Sequence, residues 1–241
     1  MTHHAPGAPR PVLFDLDGTL ADTIPLLLAS MRAAYAAVGG AVPGEREWLR
    51  GMGTPLRAQF LLWEGDDLAR VDALIAVYRE WQVAHLAEFV TEYAGIRELL
   101  ASLKSAGHPV AIVTGKGDWM ARLTLEQVDL LTPFEVIIGA ESTTRHKPDP
   151  DPLLLCAARL GVDPVRCLYI GDAPNDILAA RAAGMVDVWA EWGPFPASEL
   201  APFAPSHALQ HPMDMIALLD RLEASPASAA RAPDEGTNAV A

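Results

Sequence analysis

The chain has 241 residues, 51% hydrophobic and 20% charged, enough for one α/β core alone or with a small second domain, and for burying a sizeable apolar interior. Its formal charge of −13 excludes the basic stripe that a nucleic-acid backbone needs, and disfavours an anionic membrane surface. A small phosphorylated ligand stays compatible with that acidity, because a bound metal and a few placed cations invert the local field.

Taken in chain order, residues 1–11 are polar and Pro-rich, with no apolar core of a secretory signal. No apolar run in the chain approaches the roughly 18–20 residues that span a bilayer. The expectation is a soluble, cytoplasmic protein. Residues 11–15 form the first strand candidate. Residues 23–38, roughly 45–63 and 67–87 read as helices with no convincing strand among them. A crossover between parallel strands needs only about a dozen residues, so residues 22–93 are expected to be a helical cap inserted between core segments 1–21 and 94–223. Residues 96–106 place Ile96, Leu99, Leu100 and Leu103 on one helical face before Gly107. Strand candidates follow at 109–114, 135–139, 167–172 and 186–190. Helices are expected at 153–160 and 177–183, each followed by a glycine. Cys156 and Cys167 lie in apolar contexts and read as buried free thiols. Residues 224–241 are rich in Ala, Ser and Pro and read as a disordered tail. Four strands are near-continuous apolar runs, as parallel strands covered on both faces are, whereas Asp187 puts the last nearer an edge. The predicted class is α/β: a doubly wound, Rossmann-like parallel sheet with an inserted α-helical cap.

The polar residues sit where such a sheet binds ligands. Asp15, Thr114 and Asp172 end three strands, and Lys147 follows a fourth by a short loop. The crevice outside the carboxyl ends of the strands is the ligand site of an open α/β sheet. Two acids, a hydroxyl and an ammonium converging there can bind a divalent metal and a phosphate, and transfer the phosphoryl group.

Residues 14–20, Phe-Asp-Leu-Asp-Gly-Thr-Leu, resemble the first signature of the haloacid dehalogenase superfamily. Val113-Thr114-Gly115-Lys116 is similar to the second, Lys147-Pro148-Asp149-Pro150 to the third, and residues 171–176, Gly-Asp-Ala-Pro-Asn-Asp, to the fourth. All four occur in family order, and the cap's position resembles the branch that includes phosphoglycolate phosphatases and β-phosphoglucomutases. The resemblance implies that Asp15 attacks phosphorus and forms an aspartyl phosphate. Asp17 protonates the leaving alkoxide and then activates water. It also implies Mg²⁺ held by Asp15, the Asp17 carbonyl and Asp172, with Asp176 in the same acidic group orienting metal-bound water or Lys147. Thr114 and the Gly115 N–H would bind phosphoryl oxygens, and Lys147 would balance their charge.

Within the resemblance, Asp17 favours a phosphatase over a dehalogenase, since expelled halide needs no proton. The only lysines are Lys104, Lys116 and Lys147, so the cap has none for the Schiff base of a phosphonatase. A β-phosphoglucomutase-like mutase is the first alternative, and a non-catalytic binding module the second. Arg50 and Arg57 flank a Gly51–Pro55 turn expected to reach the site and read the leaving group. Asp22 and Thr23 read as caps of the first cap helix, and Lys116 as an ordinary turn residue. Tyr93-Ala94-Gly95 departs from the Tyr-Pro-Gly often found where the cap rejoins the core. The expected partner is a small phosphorylated metabolite bound by a monomer or homodimer; phosphoglycolate, a sugar phosphate, a nucleotide and pyrophosphate all suit the core.

Overall fold

The chain is described by a computed structural model over residues 8–224. His3, His4 and the expected tail beyond Ala224 lie outside the described residues. Strand β1 (Val12–Phe14) is followed by a two-residue strand, β2 (Ala21–Asp22), and then by helices α1 (Ile24–Val38), α2 (Glu45–Leu49), α3 (Leu56–Glu64) and α4 (Leu68–Phe89). Strand β3 (Thr91–Glu92) pairs antiparallel with β2, so the insert leaves and rejoins the core through one short two-stranded neck. Strands this short carry no alternation for the sequence to reveal. The helical region expected over roughly 45–63 is two helices separated by the expected turn at Gly51–Pro55; Gly53 there has φ +82°, which an L side chain resists.

The remainder alternates: α5 (Ile96–Ser105), β4 (Val110–Val113), α6 (Asp118–Gln127), β5 (Val136–Ile138), α7 (Asp151–Leu160), β6 (Leu168–Gly171), α8 (Pro174–Ala182), β7 (Val186–Ala190), α9 (Ala197–Leu200), β8 (His207–Leu209) and α10 (Asp214–Ala224). The sheet order is β5-β4-β1-β6-β7-β8, all parallel. Strand β8 extends the sheet past the strand expected near its edge, so β7 is interior. Asp187 is accommodated there because Arg181 binds it at 3.0 Å and the Ser206 hydroxyl at 2.6 Å.

Alternate residues of the central strands enter two cores. Phe14, Ile112, Leu168 and Ile170 pack with α5, α6 and α10 on one face; Leu13, Ala111, Val113 and Tyr169 pack with α7 and α8 on the other. Cys156 and Cys167 are buried in that second core as free thiols. The helical insert has its own core around Met31, Tyr35, Trp48, Phe60, Leu74 and Tyr78. Its aromatics pack edge-on, with Trp48 and Phe60 centroids 4.9 Å apart, a contact worth about 0.5–1.5 kcal/mol beyond area burial. Trp63 is exposed, and Trp81 stacks on His85. Among the described residues, no helix is long and apolar enough to cross a membrane.

Candidate active site

The β1 carboxyl end sits between β4 and β6, so three loops meet over the middle of the sheet. Asp15 follows β1, Thr114 follows β4, and Asp172 follows β6. Their neighbours are buried strand residues, which leaves these side chains 4%, 5% and 0% exposed respectively. Lys147 is equally buried. Its Nζ lies 3.1 Å from Asp15 Oδ1 and donates to Asp176 Oδ1 at 2.6 Å and to the Tyr169 hydroxyl at 2.8 Å.

Asp176 is fully engaged at both oxygens. Oδ1 takes Lys147 and the Tyr169 hydroxyl, and Oδ2 accepts from the Ala173 N–H at 3.0 Å. Asp172 Oδ1 accepts from Thr19 Oγ1 at 3.0 Å. Within this group Asp172 Oδ2 is buried without any partner, and Asp15 Oδ1 has only the Lys147 ammonium beside it. One oxygen each from Asp15, Asp172 and Asp176 can be chosen within 4.8 Å of one another. Three buried carboxylates thus share one ammonium, and Asp172 Oδ2 is left with no partner at all. Hard oxygen donors with excess negative charge fit a hard divalent cation.

The charge balance shows in the ionisation. Burial pushes the Asp15 carboxyl up to about 7; Lys147 pulls it back, and Asp176 and Asp17 raise it again. Asp172 is pushed up by burial and then by the Asp176 and Asp15 carboxylates. Burial opposes the Lys147 charge, but Asp15 and Asp176 outweigh it and hold Lys147 protonated. An acid with a folded pKa above its unfolded 3.8 stabilises the fold below that value and loses the contribution as pH rises through 7. The metal-free protein is therefore expected to lose Tm from about pH 5 to about pH 8 more steeply than Asp15→Asn. Parallel thermal melts of the two proteins check this; equal slopes would contradict the assigned origin.

Asp17 has partners of its own. Its Oδ1 accepts from Thr23 Oγ1 at 2.6 Å and from Lys116 Nζ at 2.7 Å. Both donors correct expectations. Thr23 makes no side-chain cap to α1; Asp22 does, accepting from the Ile24 N–H at 3.2 Å. Lys116 is no ordinary turn residue, since its side chain is 6% exposed and paired with Asp17. Gly18 makes room for Asp172: with φ +84°, a Cβ on it would stand 2.7 Å from Asp172 Oδ2.

A cavity of about 350 Å³ opens between core and cap over these residues. Asp15, Asp17, Thr114, Gly115 and Lys116 form its floor, and Arg57 is in its cap wall. The Gly51–Pro55 turn does reach the site: a Cβ on Gly115 would collide with the Gly53 carbonyl. Lys147, Asp172 and Asp176 are not in the cavity wall. Arg57 is ion-paired with Asp72. Arg50 lies elsewhere, beside a second cavity of about 250 Å³, 3.6 Å from Glu199.

A family profile described as haloacid dehalogenase-like hydrolase matches residues 12–190. The chain belongs to that family. Its relatives include a phosphoglycolate phosphatase of Xylella fastidiosa, 39% identical over 188 residues, covering 77% of this chain and 81% of that protein. Another is the pyrophosphatase PpaX of Bacillus velezensis, 31% identical over 208 residues, covering 85% and 94% respectively. A crystal structure of a hydrolase from Pseudomonas syringae superposes with a TM-score of 0.79 at 26% identity, over 89% of this chain and 99% of that one. This haloacid dehalogenase-like hydrolase therefore has phosphatases among its relatives, and the motifs that carry the resemblance lie after four adjacent strands of its sheet.

Proposed function

We propose that the protein is a Mg²⁺-dependent phosphatase that hydrolyses a small phosphorylated metabolite through an aspartyl phosphate on Asp15. The observation that carries this reading is the pair of carboxylates on the cavity floor. Asp15 is backed by Lys147 and the buried acids, and Asp17 is held apart from it by Thr23 and Lys116.

In the first half-reaction an Asp15 oxygen bonds to phosphorus as the bond to the leaving oxygen breaks, and Asp17 gives that oxygen its proton. In the second, Asp17 takes a proton from water as the water attacks phosphorus and the Asp15 carboxylate departs. The Thr114 hydroxyl and Gly115 N–H bind phosphoryl oxygens, and Lys147 offsets the charge they gather. Asp15, Asp172 and the Asp17 carbonyl would hold Mg²⁺, with Asp176 fixing Lys147. Bound there, the ion would supply positive charge that reduces the repulsion between carboxylate and phosphate. The helical insert, residues 22–93, would move about its two-strand neck to admit substrate and then exclude water.

Phosphate release is expected from at least one of phosphoglycolate, pyrophosphate, a sugar phosphate and p-nitrophenyl phosphate when Mg²⁺ is present. EDTA should abolish it and added Mg²⁺ restore it. A folded, Mg²⁺-supplied protein that releases phosphate from none of them would overturn the reading.

A further inference from the structure

The cap wall of the cavity contains polar groups that already have partners and two that do not. Thr54 Oγ1 donates to the Gly51 carbonyl at 2.6 Å, and Gln59 Nε2 to the Trp48 carbonyl at 2.6 Å. Arg57 is paired with Asp72. On the core side, Lys116 is held by Asp17, and Glu141 accepts from the Asp118 N–H at 2.7 Å. Tyr78, Arg79 and Gln82 remain, all on α4 and in the cavity wall; the buried Tyr78 hydroxyl is turned to the Trp48 indole, which leaves Gln82 and Arg79. Neither side chain has a hydrogen bond or ion pair among the described residues. Gln82 is only 3% exposed. Its amide is not sealed into the interior, so its N–H and carbonyl groups open onto the cavity and are free to meet a ligand there. Three residues apart on a helix, the two side chains share a face.

We infer that Gln82 and Arg79 determine specificity, and that the leaving group of the substrate carries an oxyanion of its own. This rests on the phosphatase reading and deepens it. The core supplies the groups for the transferred phosphoryl, so the cap wall meets the other end of the molecule. An amide NH₂ and a guanidinium offer several N–H donors, the complement of a carboxylate or phosphate. No acid of the cap lines the cavity to oppose that charge. The remaining cap wall, including Leu27, Trp48, Met52 and Leu56, is apolar, and 350 Å³ suits a small metabolite. The substrate class is a small compound with a phosphoryl group at one end and a carboxylate or second phosphate at the other.

The test compares kcat/KM on phosphoglycolate and on pyrophosphate with that on ethyl phosphate, which lacks the second anion. Wild type, Gln82→Leu and Arg79→Met are assayed with Mg²⁺; Arg79 is exposed, so its replacement does not threaten the fold. Wild type is expected to prefer at least one anionic substrate, and each variant to reduce that preference by about 10- to 100-fold. Collapse of the phosphoglycolate preference identifies a carboxylate reader, and collapse of the pyrophosphate preference a phosphate reader. A wild type that turns over ethyl phosphate as well as both anions overturns the inference while leaving the phosphatase reading intact. So do variants whose preference is unchanged. Absence of phosphate release from all three substrates and from p-nitrophenyl phosphate would instead defeat the phosphatase reading.

Discussion

Asp15→Asn is expected to lower kcat by at least about a thousandfold, roughly 4 kcal/mol of barrier. An amide has the shape of the carboxylate but is a far poorer nucleophile, so the covalent step is lost. The fold should survive, because the substitution removes one of three buried, mutually repelling carboxyl groups around a single ammonium. Burial is the main reason that the Asp15 carboxyl is pushed up to about 7, so the metal-free variant should melt no lower than wild type at about pH 8. Steady-state kinetics and a thermal melt on the same preparation check both halves. Substantial activity in a correctly folded Asp15→Asn protein would move the nucleophile elsewhere.

Lys147→Met should cost both activity and stability. Methionine keeps the length and apolar stem of the side chain and removes the ammonium that contacts Asp15, Asp176 and Tyr169. Loss of one preorganised charge at a phosphoryl-transfer site typically costs about 10²–10³ in kcat. Leaving the Asp176 carboxylate buried without its cation is expected to destabilise the fold by about 3–5 kcal/mol. Urea melts without metal would detect that loss, and added Mg²⁺ should recover part of it. Unchanged kcat with wild-type stability would contradict the assignment of Lys147 to charge balance.

The parts legible in the sequence share one property: each announces itself within a few residues. Asp15, Thr114 and Asp172 stand at the ends of apolar runs, so their convergence follows from how parallel strands assemble. The turn at Gly51, Gly53 and Pro55 is likewise local, and it separates the two helices of the 45–63 region. Residues whose meaning depends on a distant partner were not legible. Lys116 reaches Asp17 across 99 positions, and Thr19 reaches Asp172 across 153. Tyr169 reads as a core strand residue, yet its hydroxyl sits between Lys147 and Asp176. Strand β8 has three residues, including His207, and shows no apolar run. In the cap, the visible cations were Arg50 and Arg57, beside a glycine-rich turn. Arg57 lines the cavity and Arg50 does not, while Gln82 is inconspicuous in sequence because a polar residue in the middle of a long helix usually faces water.

The most direct test of the covalent route is to quench the enzyme in acid during turnover of its best substrate, treat it with borohydride, and map its peptides. Borohydride reduces an aspartyl phosphate to homoserine and leaves a free carboxylate unchanged. The account predicts homoserine at position 15 and at no other aspartate. Unmodified Asp15 in enzyme quenched at full turnover, with phosphorylation at the steady state established independently, or homoserine at another position, would contradict it.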